Sequence, residues 1–114
     1  MARTVLVVDD DPLVLEVTAD MLKDLGCEVV TAASGMDALE RLSENANIEI
    51  LVTDLNMPGM NGYELAQRAA ATRPGLQVIM LSGREIDGRG WPIVRKPFLE
   101  QDLAHTMKQT TGLR

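Results

Sequence analysis

The chain has 114 residues, 46% of them hydrophobic, and a formal net charge of −6. That length predicts a single domain over 1–114 with no separate output domain, large enough to bury roughly 65% of its unfolded surface. An acidic chain with no basic stripe lacks the counterion-releasing surface of a nucleic-acid binder, and its short apolar runs fall far below the roughly 20 residues that span a bilayer.

Residues 3–8 read as a buried strand whose run Val5-Leu6-Val7-Val8 leads into Asp9-Asp10-Asp11. The three aspartates also interrupt what would be the apolar stretch of a signal peptide. Residues 12–25 follow at helical spacing, with Val14, Val17, Met21, Leu22 and Leu25 as the inner stripe. Asp11 is the expected N-cap, Pro12 suits the first helical position and Gly26 ends the helix. Cys27, beside that glycine, reads as a small buried or half-buried apolar residue. A lone cysteine excludes an internal disulfide and fits a reducing cytoplasm.

Residues 28–31 form the second predicted strand, and Ser34 opens a helix carrying Met36, Ala38, Leu39 and Leu42. The third strand, 48–53, runs into Asp54. A helix over 62–72 has Asn61 as its cap and Pro74-Gly75 as its terminator. The fourth strand, 77–81, runs into Ser82, and the fifth, 92–95, into Lys96-Pro97. Residues 99–110 close the chain as a helix with Leu99, Leu103 and Met107 inward and His105 facing solvent. Met21, Met80 and Met107 read as core filler.

Strands alternating with helices imply βαβ units, right-handed crossovers and an α/β fold with a parallel sheet covered on both faces. In such a sheet, ligands sit at the carboxyl ends of the strands. One edge therefore gathers the carboxylates of Asp9 and Asp10, the lone Asp54, the Ser82 hydroxyl and the Lys96 ammonium. A carboxylate can act as a nucleophile and carry a phosphoryl group as an acyl phosphate. Phosphoryl transfer asks the protein for positioning and charge neutralisation more than for acid–base work.

Val7-Val8-Asp9-Asp10, Asp54-Leu55-Asn56-Met57-Pro58-Gly59 with Asn61-Gly62, Leu81-Ser82-Gly83 and Lys96-Pro97-Phe98 together resemble the receiver domain of bacterial two-component response regulators. The resemblance covers essentially the whole chain and rests on several separated motifs. It implies a flavodoxin-like, doubly wound five-stranded parallel sheet in the order 2-1-3-4-5. It implies a stand-alone regulator that takes a phosphoryl group on Asp54 from a sensor histidine kinase or a histidine phosphotransfer protein and serves as phosphate shuttle, sink or protein-binding switch. Its downstream protein partner is unknown. Activity of its own would be limited to slow self-catalysed phosphotransfer and dephosphorylation, so the chain is not an enzyme in the ordinary sense.

The same resemblance implies Mg²⁺ as cofactor, held by Asp10, Asp54 and the backbone carbonyl of Asn56, with Asp9 holding a metal-bound water or ligating directly. Mg²⁺ suits an oxygen-only set that leaves several waters in place. It would also remove a repulsion of about 4 kcal/mol per close charge pair at an effective dielectric near 20. Lys96 would pair with Asp54 at rest and with the phosphoryl oxygens afterwards, and Ser82 would donate its hydroxyl to them. Asn56 and Arg84 would tune phosphate lifetime through water access. Kinase choice would lie on the outer face of the first helix, around Leu15 and Thr18. The Lys96–Pro97 bond would be cis.

Two features depart from that pattern. Ser82 and Lys96 are only 14 residues apart, and the stretch from Gly83 to Trp91 holds three glycines. A parallel crossover with its helix needs at least about 10–12 residues, and glycine opposes helix. The helix between the fourth and fifth strands is therefore expected to be absent or reduced to one turn, leaving a mobile loop partly covered by Trp91. Three residues before Lys96, where receivers usually carry an aromatic, stands Ile93.

Two rival readings use some of the same residues. A small Mg²⁺-dependent phosphohydrolase of the haloacid-dehalogenase type would have Asp9 attack and Asp11 act as general acid. It leaves Asp54 unexplained and offers only Asp102, inside a helix, as a late acidic ligand. A phosphorylation-independent pseudo-receiver, acting purely as a binding module, would be expected to have lost the acceptor, the acidic pair or the lysine, and none is lost.

Overall fold

The β-branched and leucine-rich runs form the middle of the molecule. In the computed structural model, which describes residues 3–84 and 87–111, the strands are β1 (Thr4–Val8), β2 (Glu28–Ala32), β3 (Ile48–Asp54), β4 (Gln77–Ser82) and β5 (Ile93–Arg95). All neighbours pair in parallel in the order β2-β1-β3-β4-β5. The helices are α1 (Pro12–Asp24), α2 (Gly35–Glu44), α3 (Gly62–Thr72) and α4 (Glu100–Thr111).

Alternation along the strands splits the core in two. Leu6, Val8, Leu51, Val78 and Met80 face α2 and α3, where Ala38, Leu42, Leu65, Ala66 and Ala69 complete one layer. Val5, Val7, Ile50, Val52, Ile79, Leu81 and Val94 face α1 and α4, meeting Leu22, Leu103 and Met107.

The caps form as the sequence dictates. The Asp11 carboxylate accepts from the backbone N–H groups of Leu13 and Val14, Ser34 Oγ from that of Asp37, and Asn61 Oδ1 from that of Glu64. Between β4 and β5 no described residue is helical, and Glu85 and Ile86 lie outside the described residues. Trp91 is half-buried and packs on the core layer beside α3, as does Ile93. His105 is exposed, and the Lys96–Pro97 bond is cis.

Three helix faces differ from expectation. In α1 the buried residues are Thr18, Ala19 and Leu22, with Leu15 half-buried against the core, while Leu13 is 69% and Val17 46% exposed. Small Thr18 and Ala19 let α1 lie close on the sheet, so the helix turns its slender side inward and not its most apolar one. Leu15 and Thr18 therefore do not form the outer face. Met36 in the first turn of α2 is exposed, as is Leu25 beyond the end of α1. Leu99 is exposed because it precedes α4: its N–H is taken by the Asp102 carboxylate at 2.8 Å.

One stabilising device left no periodic trace in the sequence. Arg73, just past α3, donates to the carbonyls of Leu42, Asn45 and Ile48 at 2.6, 3.2 and 2.8 Å. It thereby satisfies the orphan carbonyls at the end of α2 and ties them to the start of β3.

Candidate functional site

β1, β3 and β4 end side by side, and their last pairs, Val8 with Thr53 and Asp54 with Leu81, bring the following residues to one edge. Asp9 follows β1 and is 1% exposed; Asp54 closes β3 and is 6% exposed. Asp10 is exposed beside them, and the three carboxylates offer oxygen atoms within 4.8 Å of one another. Lys96, one residue beyond β5, reaches across β4. Its ammonium donates to Asp54 Oδ1 at 3.0 Å and to Asp9 Oδ2 at 3.2 Å. The other Asp9 oxygen accepts the backbone N–H of Asp11 at 3.0 Å.

Ser82 is fully buried at the end of β4, level with Arg95 of β5, and its carbonyl accepts the Lys96 backbone N–H at 2.7 Å. Its hydroxyl accepts the N–H of Arg84 at 3.1 Å. Asn56 is exposed in the loop after β3. The edge thus holds Asp9, Asp10, Asp54, Ser82 and Lys96 together, with Asn56 on the loop that leaves it. Asp11 stands apart, its carboxylate engaged in capping α1, so the general acid that the phosphohydrolase reading needs is occupied elsewhere.

The electrostatics follow from burial. The Asp54 carboxyl is held above the ordinary aspartate range, chiefly by burial; Lys96 opposes this through its hydrogen bond and charge, while Asp9 and Asp10 add to it. Burial is also the largest influence on Lys96 and lowers its pKa, but Asp54 and Asp9 together override it and hold the ammonium above its usual value. Three carboxylates against one ammonium leave two negative charges uncompensated. That surplus, in an all-oxygen donor set, fits a small divalent cation and repels an unescorted phosphoryl group.

Two supporting residues were not foreseen. Thr53, fully buried, donates its hydroxyl to the Asp54 backbone carbonyl at 2.9 Å. Gly62, the first residue of α3, sits so close that an added Cβ would lie 2.7 Å from the same carbonyl oxygen. The one visible sequence signal was a polar threonine following the aliphatic run Ile50-Leu51-Val52 just before Asp54.

A profile of the response regulator receiver domain matches residues 5–108. Chemotaxis protein CheY1 of Helicobacter pylori is 41% identical over 118 residues, spanning 94% of this chain and 95% of that protein. Sensor histidine kinase RcsC of Salmonella typhimurium is 52% identical over 64 residues, which cover 56% of this chain but only 7% of the kinase. The crystal structure of chemotaxis protein CheY4 of Vibrio cholerae superposes with a TM-score of 0.89 at 26% identity, covering 96% of this chain and 99% of the other.

Proposed function

The chain belongs to the response regulator receiver domain family, and from that premise we propose that Asp54 accepts a phosphoryl group from the phosphohistidine of a sensor kinase or phosphotransfer protein. A carboxylate oxygen of Asp54 attacks phosphorus, the P–N bond breaks, and its electron pair stays on the departing imidazole nitrogen. The reading is carried by one observation: the buried Asp54 carboxylate lies 3.0 Å from the Lys96 ammonium, inside a cluster of three carboxylates.

Each neighbour then has a part. Asp10, Asp54 and the Asn56 carbonyl would ligate Mg²⁺, with Asp9 holding a metal-bound water or a direct bond; the ion supplies charge neutralisation along the transfer. Lys96 moves its donors from the carboxylate to the phosphoryl oxygens. Ser82, whose oxygen accepts the Arg84 N–H, would donate its hydroxyl hydrogen to a phosphoryl oxygen. Release by water would be slow, set by the access that Asn56 and Arg84 allow.

The docking face for the phosphodonor is the exposed side of α1, now Leu13 and Val17. Beside it lies a groove of about 440 Å³ shared with Met21, Pro97 and Phe98. An apolar face next to the acceptor edge suits a histidine-bearing helix. The half-buried, reduced Cys27 suits a cytoplasmic setting, and among the described residues no helix is long and apolar enough to cross a membrane. Downstream, the phosphorylated domain would act as shuttle, sink or protein-binding switch, alone or as part of a longer protein.

Acetyl phosphate with Mg²⁺ tests the assignment. Asp54→Ala should abolish phosphoryl uptake seen by intact-mass measurement, and Asp9→Ala should reduce it at least tenfold without moving the modified residue. Full uptake by Asp54→Ala, with loss only in Asp9→Ala, would transfer the nucleophile to Asp9.

A further inference from the structure

From Ile50 to Val52 β3 is aliphatic, and Thr53 then stands fully buried before Asp54. Its register partners are Val8 in β1 and Met80 in β4. Valine would fill the same space and suit a buried strand as well. Burying a hydroxyl costs free energy unless it finds a hydrogen-bond partner. A threonine at this place is thus explained by what its hydroxyl holds, and that is the Asp54 backbone carbonyl, at 2.9 Å.

That carbonyl sits where the ladder runs out. The trans peptide joining Asp54 to Leu55 points its N–H and its C=O to opposite sides. The Leu55 N–H goes to β4, bonding the Leu81 carbonyl at 3.0 Å, so the Asp54 carbonyl turns toward β1. The β1–β3 pairing ends at Val8 with Thr53, and the next N–H of that chain segment, on Asp9, is given to the Ala32 carbonyl of β2 at 3.2 Å. The Thr53 hydroxyl takes the place of the strand neighbour. Gly62 abuts the same oxygen, where a Cβ would lie 2.7 Å away, and its N–H bonds the Leu55 carbonyl at 2.9 Å. The stretch leading from Asp54 to Asn56 is thereby tied at three consecutive polar groups, the Asp54 C=O and the Leu55 N–H and C=O.

Mg²⁺ tolerates little error in the placing of its ligands. It demands near-ideal octahedral geometry with bonds of about 2.0–2.1 Å, whereas Ca²⁺ takes a flexible shell at about 2.3–2.6 Å. Altering a residue that orients a metal's ligands typically changes affinity by about 10–100-fold.

We propose that Thr53 is a positioning residue for the cation. Its hydroxyl fixes the Asp54–Leu55 peptide, which sets where the Asn56 carbonyl stands against the Asp10 and Asp54 carboxylates and so gives the site its fit to Mg²⁺. This role rests on the reading of those three groups as the ligand set. Thr53 acts through the chain and bonds neither the ion nor the phosphoryl group.

Calorimetric titration of Mg²⁺ and of Ca²⁺ into the full chain, beside urea midpoints, tests the assignment. Thr53→Val keeps the shape and loses the donor, so it should bind Mg²⁺ at least about tenfold more weakly, while its Ca²⁺ affinity falls by less. Thr53→Ser keeps the donor and loses a methyl group, so its urea midpoint should fall while its Mg²⁺ affinity stays that of the parent. A role in folding alone would make affinity follow stability, and Mg²⁺ affinity that tracks the urea midpoint through both variants would overturn the proposal. So would unchanged Mg²⁺ affinity in Thr53→Val, or equal losses for the two ions. None of these results touches the acceptor assignment, which stands or falls with Asp54→Ala in acetyl phosphate. A parent chain that binds no Mg²⁺ at millimolar concentration would overturn the ligand set and the role of Thr53 together.

Discussion

Asp54 stores a conflict between folding and function. Its folded pKa is raised, mostly by burial, so ionising it weakens the folded state. That penalty is absent below the unfolded aspartate value near 4 and reaches its full size once pH has risen through the folded value. Asp54→Asn keeps the shape and removes the charge, while Lys96 retains Asp9 at 3.2 Å. The variant should gain about 1 kcal/mol at pH 7, an ordinary size for one substitution, and nothing near pH 3. Urea midpoints of both proteins across that range measure it; a destabilised variant at pH 7 would mean that the Lys96–Asp54 pair outweighs the burial of Asp54.

At the level of elements, the join between β3 and α3 is the tightest place near the acceptor. Gly62→Ala would drive a methyl against the Asp54 carbonyl, which Thr53 also holds. Overpacking of this kind costs about 1–3 kcal/mol. Because the strain falls on the strand that carries Asp54, beryllofluoride binding should weaken along with the urea midpoint. Gly75→Ala, where a Cβ meets nothing, should change neither. Element identity was largely legible from the sequence because apolar runs of four or five residues ending in Asp, Ser or Lys leave little choice of strand. Helix rotation was less so. Counting apolar residues placed Val17 inward and Leu15 outward, whereas close packing chose the smaller Thr18 and Ala19. Hydropathy cannot rank two apolar faces by width, and Leu13 in the first turn belongs to neither.

Across the whole molecule, the gathering of Asp9, Asp10, Asp54 and Lys96 at one edge could be anticipated because parallel strands bring their ends together whatever the details of packing. That no described residue between β4 and β5 is helical could be anticipated from the short spacing of Ser82 and Lys96 and the three glycines between them. The Arg73 staple and the Tyr63–Arg89 stack could not, since each joins residues distant in sequence through single side chains that no period announces. β5 contributes only three residues to the sheet, against seven in β3. Edge elements with few contacts open at lower free energy than the core. Amide exchange at Val94 should therefore be faster than at Val52, and beryllofluoride with Mg²⁺ should slow it by drawing Lys96 onto the bound anion. Exchange at Val94 as slow as at Val52, before any ligand is added, would contradict this.

The cation facing Asp54 thus rides on the least anchored strand of the sheet. Were β5 to peel away, Asp54 would keep its acidic neighbours and lose its counter-ion, so the proposed transfer would stop well before the fold is lost. A partner that grips β5 would set how much of the time the domain is competent, without ever touching the aspartate.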